Sequence, residues 1–162
     1  MIIIFRGKAA TGKTTLAKAC HDKMGISVIS KDTVFDDLLL KGISWDDANR
    51  ITYDTLAEKI QAAHDAGEDL IVDIGLSHTP YYRNFLSMMK LKHVKHFLFM
   101  CDDHIWKERM VKRIQNPQGP NQTFKSVSEA KEHYSKYHIV PISGEVCLEG
   151  SRPLEELMSL VL

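Results

Sequence analysis

Long apolar runs are missing from this 162-residue chain: none approaches the roughly eighteen residues needed to cross a bilayer, and the N-terminal stretch Ile2-Ile3-Ile4-Phe5 is short. Neither a membrane span nor a leader segment is expected, and the expected location is the cytoplasm. Cysteine is scarce. Cys20, Cys101 and Cys147 are three, an odd and widely spaced set, so a disulfide framework is not expected; Cys20 and Cys147 fall in apolar patterns and read as small core residues. Among eight histidines there is no H-x-x-x-H spacing, nor any paired-cysteine spacing, that would suggest zinc. His93 and His96 lie in a strand-like stretch and read as structural or surface residues. Internal repeats and linkers are also absent, which leaves a single domain over 1–162, long enough to bury a core without staples.

What is present is a sharp motif at the N-terminus. Gly7-Lys8-Ala9-Ala10-Thr11-Gly12-Lys13-Thr14 has the form G-x-x-x-x-G-K-[ST] of a phosphate-binding loop. Before it, Ile2 to Phe5 run without period-two alternation, as in a parallel strand covered on both faces. After it, Leu16, Cys20 and Met24 recur at four-residue spacing, so a helix starts at about Lys13. Glycines let the backbone approach an anion with its N–H groups turned inward, and the helix N-terminus adds positive charge. Lys13, expected as an exposed cation, would bridge terminal phosphates. Thr14 would ligate the Mg2+ that accompanies a nucleoside triphosphate, and Thr15 would touch the innermost phosphate. The plainer alternative is a glycine-rich turn before an ordinary helix.

Downstream, Gly25 closes the first helix and Ile26 to Ser30 read as a second strand ending at Lys31-Asp32. In open α/β sheets ligands gather outside the carboxyl ends of strands, so Asp32 is placed for chemistry. Thr33 to Leu40 read as a short helix. Ser44 reads as the N-cap of a long helix with Trp45, Ala48, Thr52, Leu56, Ile60 and Ala63 on one side and Gly67 past its end. A third strand, Leu70 to Val72, runs into Asp73, which would hold the Mg2+ through a water or, alternatively, cap a turn. Pro80 opens a helix from Tyr81 to about Met89 carrying Arg83, and His93 to Met100 form a fourth strand. Asp102 caps a helix to about Gln115 on which Trp106, Met110 and Ile114 form the buried stripe and Arg109 and Arg113 share another face. Asn116 to Asn121 is a loop cluster. Ser126 and Glu129 form a capping box before a helix with Val127, Ala130, Tyr134 and Tyr137 at core spacing. Glu145 to Glu149 form the fifth strand, and Ser151 with Pro153 opens a terminal helix. Strand and helix alternate throughout, which predicts an α/β, three-layer fold: a doubly wound, parallel five-stranded sheet with helices on both faces.

Net charge is zero, yet unevenly spread. From Asp32 to Asp73 eleven acidic residues face Lys41, Arg50 and Lys59, a net of −8; from Lys107 to Lys125 the net is +4. Such runs are often solvated helix faces.

Taken together, the loop Gly7 to Thr15, Asp32 after the second strand, Asp73 after the third and the pair Arg109-x-x-x-Arg113 resemble the small P-loop kinases, a superfamily that includes adenylate, shikimate and gluconate kinases, chloramphenicol phosphotransferase and the kinase domain of polynucleotide kinase. The resemblance implies ATP and Mg2+ as cofactors. It implies that Asp32 orients or deprotonates an acceptor hydroxyl, that Arg109 stacks on adenine, that Arg113 reaches the phosphates, and that residues from about 115 to 126 form a short lid. The alternative for the two arginines is a plain helix surface. Asp73, Leu76, Pro80 and Arg83 resemble the polynucleotide-kinase-like pattern. Against that group, Phe35 stands where nucleotide-accepting relatives tend to carry an acceptor-binding arginine.

The expected function is transfer of the γ-phosphoryl of ATP to a hydroxyl of a small molecule, with Asp32, Phe35, Arg50 and Arg83 on the acceptor side and no nucleic-acid partner. Two alternatives are a nucleotide or polynucleotide 5′-hydroxyl kinase and a regulatory NTPase. A GTPase is disfavoured by the absence of N-K-x-D and by Asp73-Ile74-Gly75-Leu76 in place of D-x-x-G.

Overall fold

A computed structural model describes all 162 residues. The elements run β1 (Ile2–Gly7), α1 (Lys13–Met24), β2 (Ser27–Ser30), α2 (Lys31–Leu40), α3 (Trp45–Asp65), β3 (Leu70–Asp73), α4 (Thr79–Ser87), β4 (Val94–Met100), α5 (Asp103–Gln115), α6 (Val127–Ser135), β5 (Glu145–Glu149) and α7 (Leu154–Val161). The five strands pair in parallel in the order β2-β3-β1-β4-β5. The α/β, doubly wound sheet expected from the alternation is therefore the observed one.

β1 is buried along its whole length because helices cover both of its faces. Ile3 and Phe5 join Leu16, Cys20, Leu157 and Val161 in the core beneath α1 and α7, whereas Ile2 and Ile4 point the other way, against Leu56, Ile60, Tyr82 and Phe85 of α3 and α4. Each such aliphatic or aromatic side chain stabilises the fold by about 1.5–3 kcal/mol when fully buried. A third, smaller cluster of Trp106, Met110 and Ala130 joins α5 to α6 and abuts Ala9 and Ala10 of the loop after β1.

Element boundaries differ from the sequence expectation where local chemistry competes. β2 is shorter than expected, and α2 begins directly at Lys31, so Asp32 lies in the first turn of a helix. Ser44 does cap α3, accepting from the Asp47 amide. Trp45 nevertheless stays exposed on that helix, its ring set edge-on against Phe35 at 4.8 Å. α4 starts at Thr79 and ends at Ser87, two residues earlier at each end than Pro80 suggested. Asp102 stands at the N-cap of α5 without a side-chain capping bond. At α6 Ser126 caps the Glu129 amide, but Glu129 reaches back to the Lys125 amide instead of closing the box on Ser126, and the helix ends at Ser135, short of Tyr137. All three cysteines are free; Cys20 is core as expected, while Cys147 is exposed because β5 is an edge strand. His96 accepts or donates at 2.6 Å with the Tyr82 hydroxyl, a structural role.

Candidate active site

The loop after β1 is shaped by close approach. Gly7 has φ 141°, and a Cβ there would meet the Phe99 carbonyl oxygen of β4 at 2.5 Å, so only glycine fits. Gly12, also left-handed at φ 102°, leads into α1, whose N-terminus has no side-chain cap and keeps first-turn N–H groups available to an anion. Lys13 departs from expectation. It is buried, 8% exposed, and its Nζ donates to the carbonyls of Gly7 at 3.1 Å and Lys8 at 2.7 Å. Burial pushes its amine pKa down, while the carboxylates of Asp73 and Asp32 oppose that shift.

Sheet register brings the two aspartates to this loop. Phe5 of β1 and Ser30 of β2 both pair with Asp73 of β3, so Asp73 stands between the phosphate-loop strand and the strand that leads to Asp32. Thr14 Oγ1 donates to Asp73 Oδ2 at 2.5 Å. Asp73 is 4% exposed; burial pushes its carboxyl pKa up, and Lys13 is the main opposing influence. Asp32 Oδ2 lies 3.5 Å from Arg113 Nη2, and Oδ1 lies 3.9 Å from Lys31 Nζ. Lys13, Asp73, Asp32 and Arg113 thus form one electrostatic group at the carboxyl ends of β1, β2 and β3.

Beside the loop lies a cleft of about 560 Å³ whose lining includes Ala10, Gly12, Thr15, Arg109, Arg113 and Gly150. Arg109 lies along its wall, donating to the Gly150 carbonyl at 3.0 Å. A comparably sized groove between α3 and α4 shares none of these residues.

With the loop, Asp32, Asp73 and the two arginines in place, the comparisons with known proteins are decisive for family. Residues 2–136 match the family described as AAA domain. The chain belongs to the AAA domain family. No curated protein matches it. Among solved structures, it is similar to a sugar kinase from a Janibacter species (23% identity, TM-score 0.67, covering 98% of this chain and 90% of that one). It is similar to a gluconokinase from Sinorhizobium meliloti (15%, 0.68, 99% and 88%) and to a shikimate kinase from Aquifex aeolicus (17%, 0.56, 99% and 93%). Family and fold together bear out the resemblance to the small P-loop kinases.

Several residues around the AAA-domain loop escaped sequence reading. Trp106 Nε1 donates to the Ala9 carbonyl at 2.9 Å, and the Ala9 N–H donates to the Tyr134 hydroxyl at 2.9 Å. The two peptide groups that flank Ala9 are therefore gripped by α5 and α6, next to Ala10, which holds a left-handed φ of 62° that costs a non-glycine residue. The Lys8 ammonium sits over both rings, at 5.3 and 5.6 Å. Both aromatics read as core by spacing; their polar tips gave no sequence signal. Tyr53 is also close by: burial pushes its hydroxyl pKa up, with Asp32 and Tyr137 adding to the shift.

Phe35 is the acceptor-side expectation that the structure corrects, and Arg50 and Arg83 make no contact with the group of Lys13, Asp73, Asp32 and Arg113. Phe35 is fully buried, packed on Trp45 and beneath the Lys31 ammonium at 3.9 Å, so it is a core residue and not a pocket wall. Arg50 lies on the face of α3 opposite Ala48 and Thr52, where it pairs with Asp47 and Asp54. Arg83 is exposed on α4 and makes no hydrogen bond or ion pair with the AAA-domain site. The loop from Asn116 to Asn121 does lie outside helix and strand, between α5 and α6.

Proposed function

We propose that this chain transfers the γ-phosphoryl of ATP to a hydroxyl of a small neutral or cationic molecule, with Asp32 orienting and deprotonating that hydroxyl. The observation that carries the reading is the contact of Asp32 with Arg113 at 3.5 Å beside the Lys13 and Asp73 group. A base for the acceptor and cations for the transferred group meet at one point, as phosphoryl transfer requires.

The loop amides and Lys13 would hold the phosphates, and Arg113 would neutralise the equatorial oxygens as charge spreads over them. Arg109, in the cleft of about 560 Å³, would stack on the base. Thr14 and Asp73 offer hard oxygen donors that fit Mg2+. An ion held there would take its other oxygens from phosphate and water. When bound there, Mg2+ would supply neutralisation of the phosphate charge.

The acceptor side favours a neutral or cationic molecule. Asp32 and Asp36 line α2, Arg50 faces away, and Lys31 lies over the Phe35 ring and is paired with Asp32. Nucleic acid would need cations tracking its backbone. The test is phosphorylation of sugar, polyol, nucleoside and aminoglycoside alcohols against 5′-hydroxyl oligonucleotides over a range of salt. Labelling of small alcohols is expected; efficient, salt-sensitive labelling of the oligonucleotide overturns the acceptor assignment.

A further inference from the structure

The loop between α5 and α6 is fastened to the helix that carries Asp32. Asp36 Oδ1 accepts from the Asn121 backbone N–H and Asp36 Oδ2 from Asn121 Nδ2, each at 2.8 Å and between residues 85 apart in sequence. Asp36 follows Asp32 by four residues on α2, so the two carboxylates share a face. One engages Arg113 in the last turns of α5; the other engages the loop that follows. Gly119 sits against the same contact: a methyl group there would overlap the Asp36 carboxylate, which would have to shift to make room. The loop tip is also tied to itself, with the Gln122 N–H donating to the Gly119 carbonyl and the Gln118 N–H to Gln122 Oε1, each at 3.0 Å. Pro117 and Pro120 stiffen it further.

We infer that Asp36 is a positioning residue that catches the lid through Asn121 and seats it on the acceptor helix, closing the cleft against water during phosphoryl transfer. This rests on the kinase reading above, but the catch itself does not. Bidentate, charge-assisted hydrogen bonds of this kind carry geometry as well as strength. The catch brings the lid to the one helix that also carries the acceptor base, so closure and base placement are set by the same carboxylate face. Water that reached the cleft would compete with the acceptor hydroxyl for the same phosphoryl group.

The test combines amide hydrogen exchange over residues 118–122 with the ratio of acceptor phosphorylation to ATP hydrolysis. Asn121→Asp sets like charges against each other, and Gly119→Ala displaces the Asp36 carboxylate. Each should speed exchange at position 121 by at least about tenfold, the scale of losing one charge-assisted hydrogen bond, and shift the ratio toward hydrolysis. The exchange double variant Asp36→Asn with Asn121→Asp should restore both readouts, because the carboxamide at 36 can accept from the amide at 121 and donate to the new carboxylate. Exchange at 121 that is equally fast in the wild type and the variants overturns the catch. Restored exchange with an unaltered ratio across all variants overturns its role in excluding water. If no alcohol is phosphorylated by the wild type while exchange responds as expected, the kinase reading fails and the catch stands.

Discussion

Asp32 Oδ2 and Arg113 Nη2 lie 3.5 Å apart across the end of the sheet, so the proposed acceptor-orienting carboxylate and the proposed phosphate-binding cation share one position in the cleft. Asp32→Asn keeps the side-chain shape but removes the proton acceptor. Nucleotide affinity should stay within about threefold while transfer falls by about a hundredfold or more, the usual range for a general base. Undiminished transfer, measured under saturating ATP, would remove Asp32 from the base role.

The two arginines should separate kinetically. Arg113→Ala should lower turnover more than it weakens ATP binding, since Arg113 faces Asp32 and the transferred group. Arg109→Ala should do the reverse, because Arg109 lies along the cleft wall against Gly150. Measured kcat and ATP dissociation constants that move equally in both variants would mean the pair is misassigned.

Tyr134→Phe deletes only the hydroxyl that accepts from the Ala9 N–H. One lost hydrogen bond is worth about 0.5–1.5 kcal/mol, so ATP binding should weaken by up to about tenfold while the melting temperature changes little. Isothermal titration of the variant checks this. Unchanged affinity would show that the loop holds its shape without α6.

Arg6 of β1 and Glu145 of β5 form a buried ion pair. Arg6 Nε and Nη2 donate to Glu145 at 2.7 and 2.6 Å, both side chains are fully buried, and Arg6 also binds the carbonyls of Ser77 and Val140. Glu145→Ala strands a buried guanidinium and should cost about 3–5 kcal/mol. The urea midpoint reads it. A loss below about 1 kcal/mol would mean that water or another carboxylate replaces Glu145.

Most of the scaffold was legible because its signals are local. Ile2 to Phe5, the spacing of Leu16 and Cys20, and the Ser44 cap each act within a turn or two of chain, and each appears where the pattern places it. Asp73 and Asp32 were found because strand ends in this fold converge. The failures are of side-chain placement, over short spans of chain as well as long ones. Nothing near Phe35 signals that Trp45 and Lys31 enclose it, and nothing near Lys13 signals that loop carbonyls fold over its ammonium. Arg6 meets a partner 139 residues away, and Asp36 one 85 residues away. Such pairings depend on where loops dock, which residue types in a single sequence do not encode.

The central claim is that this loop serves transfer to an alcohol and not hydrolysis, and the most direct measurement is the product balance from labelled ATP. With an accepted alcohol present, ADP should form in step with a phosphorylated product and inorganic phosphate should remain a minor species. Lys13→Met should abolish both by at least about a hundredfold, as removal of a charge-stabilising donor does. ADP formed with equal inorganic phosphate, whatever alcohol is supplied, would contradict the account and identify a hydrolytic NTPase.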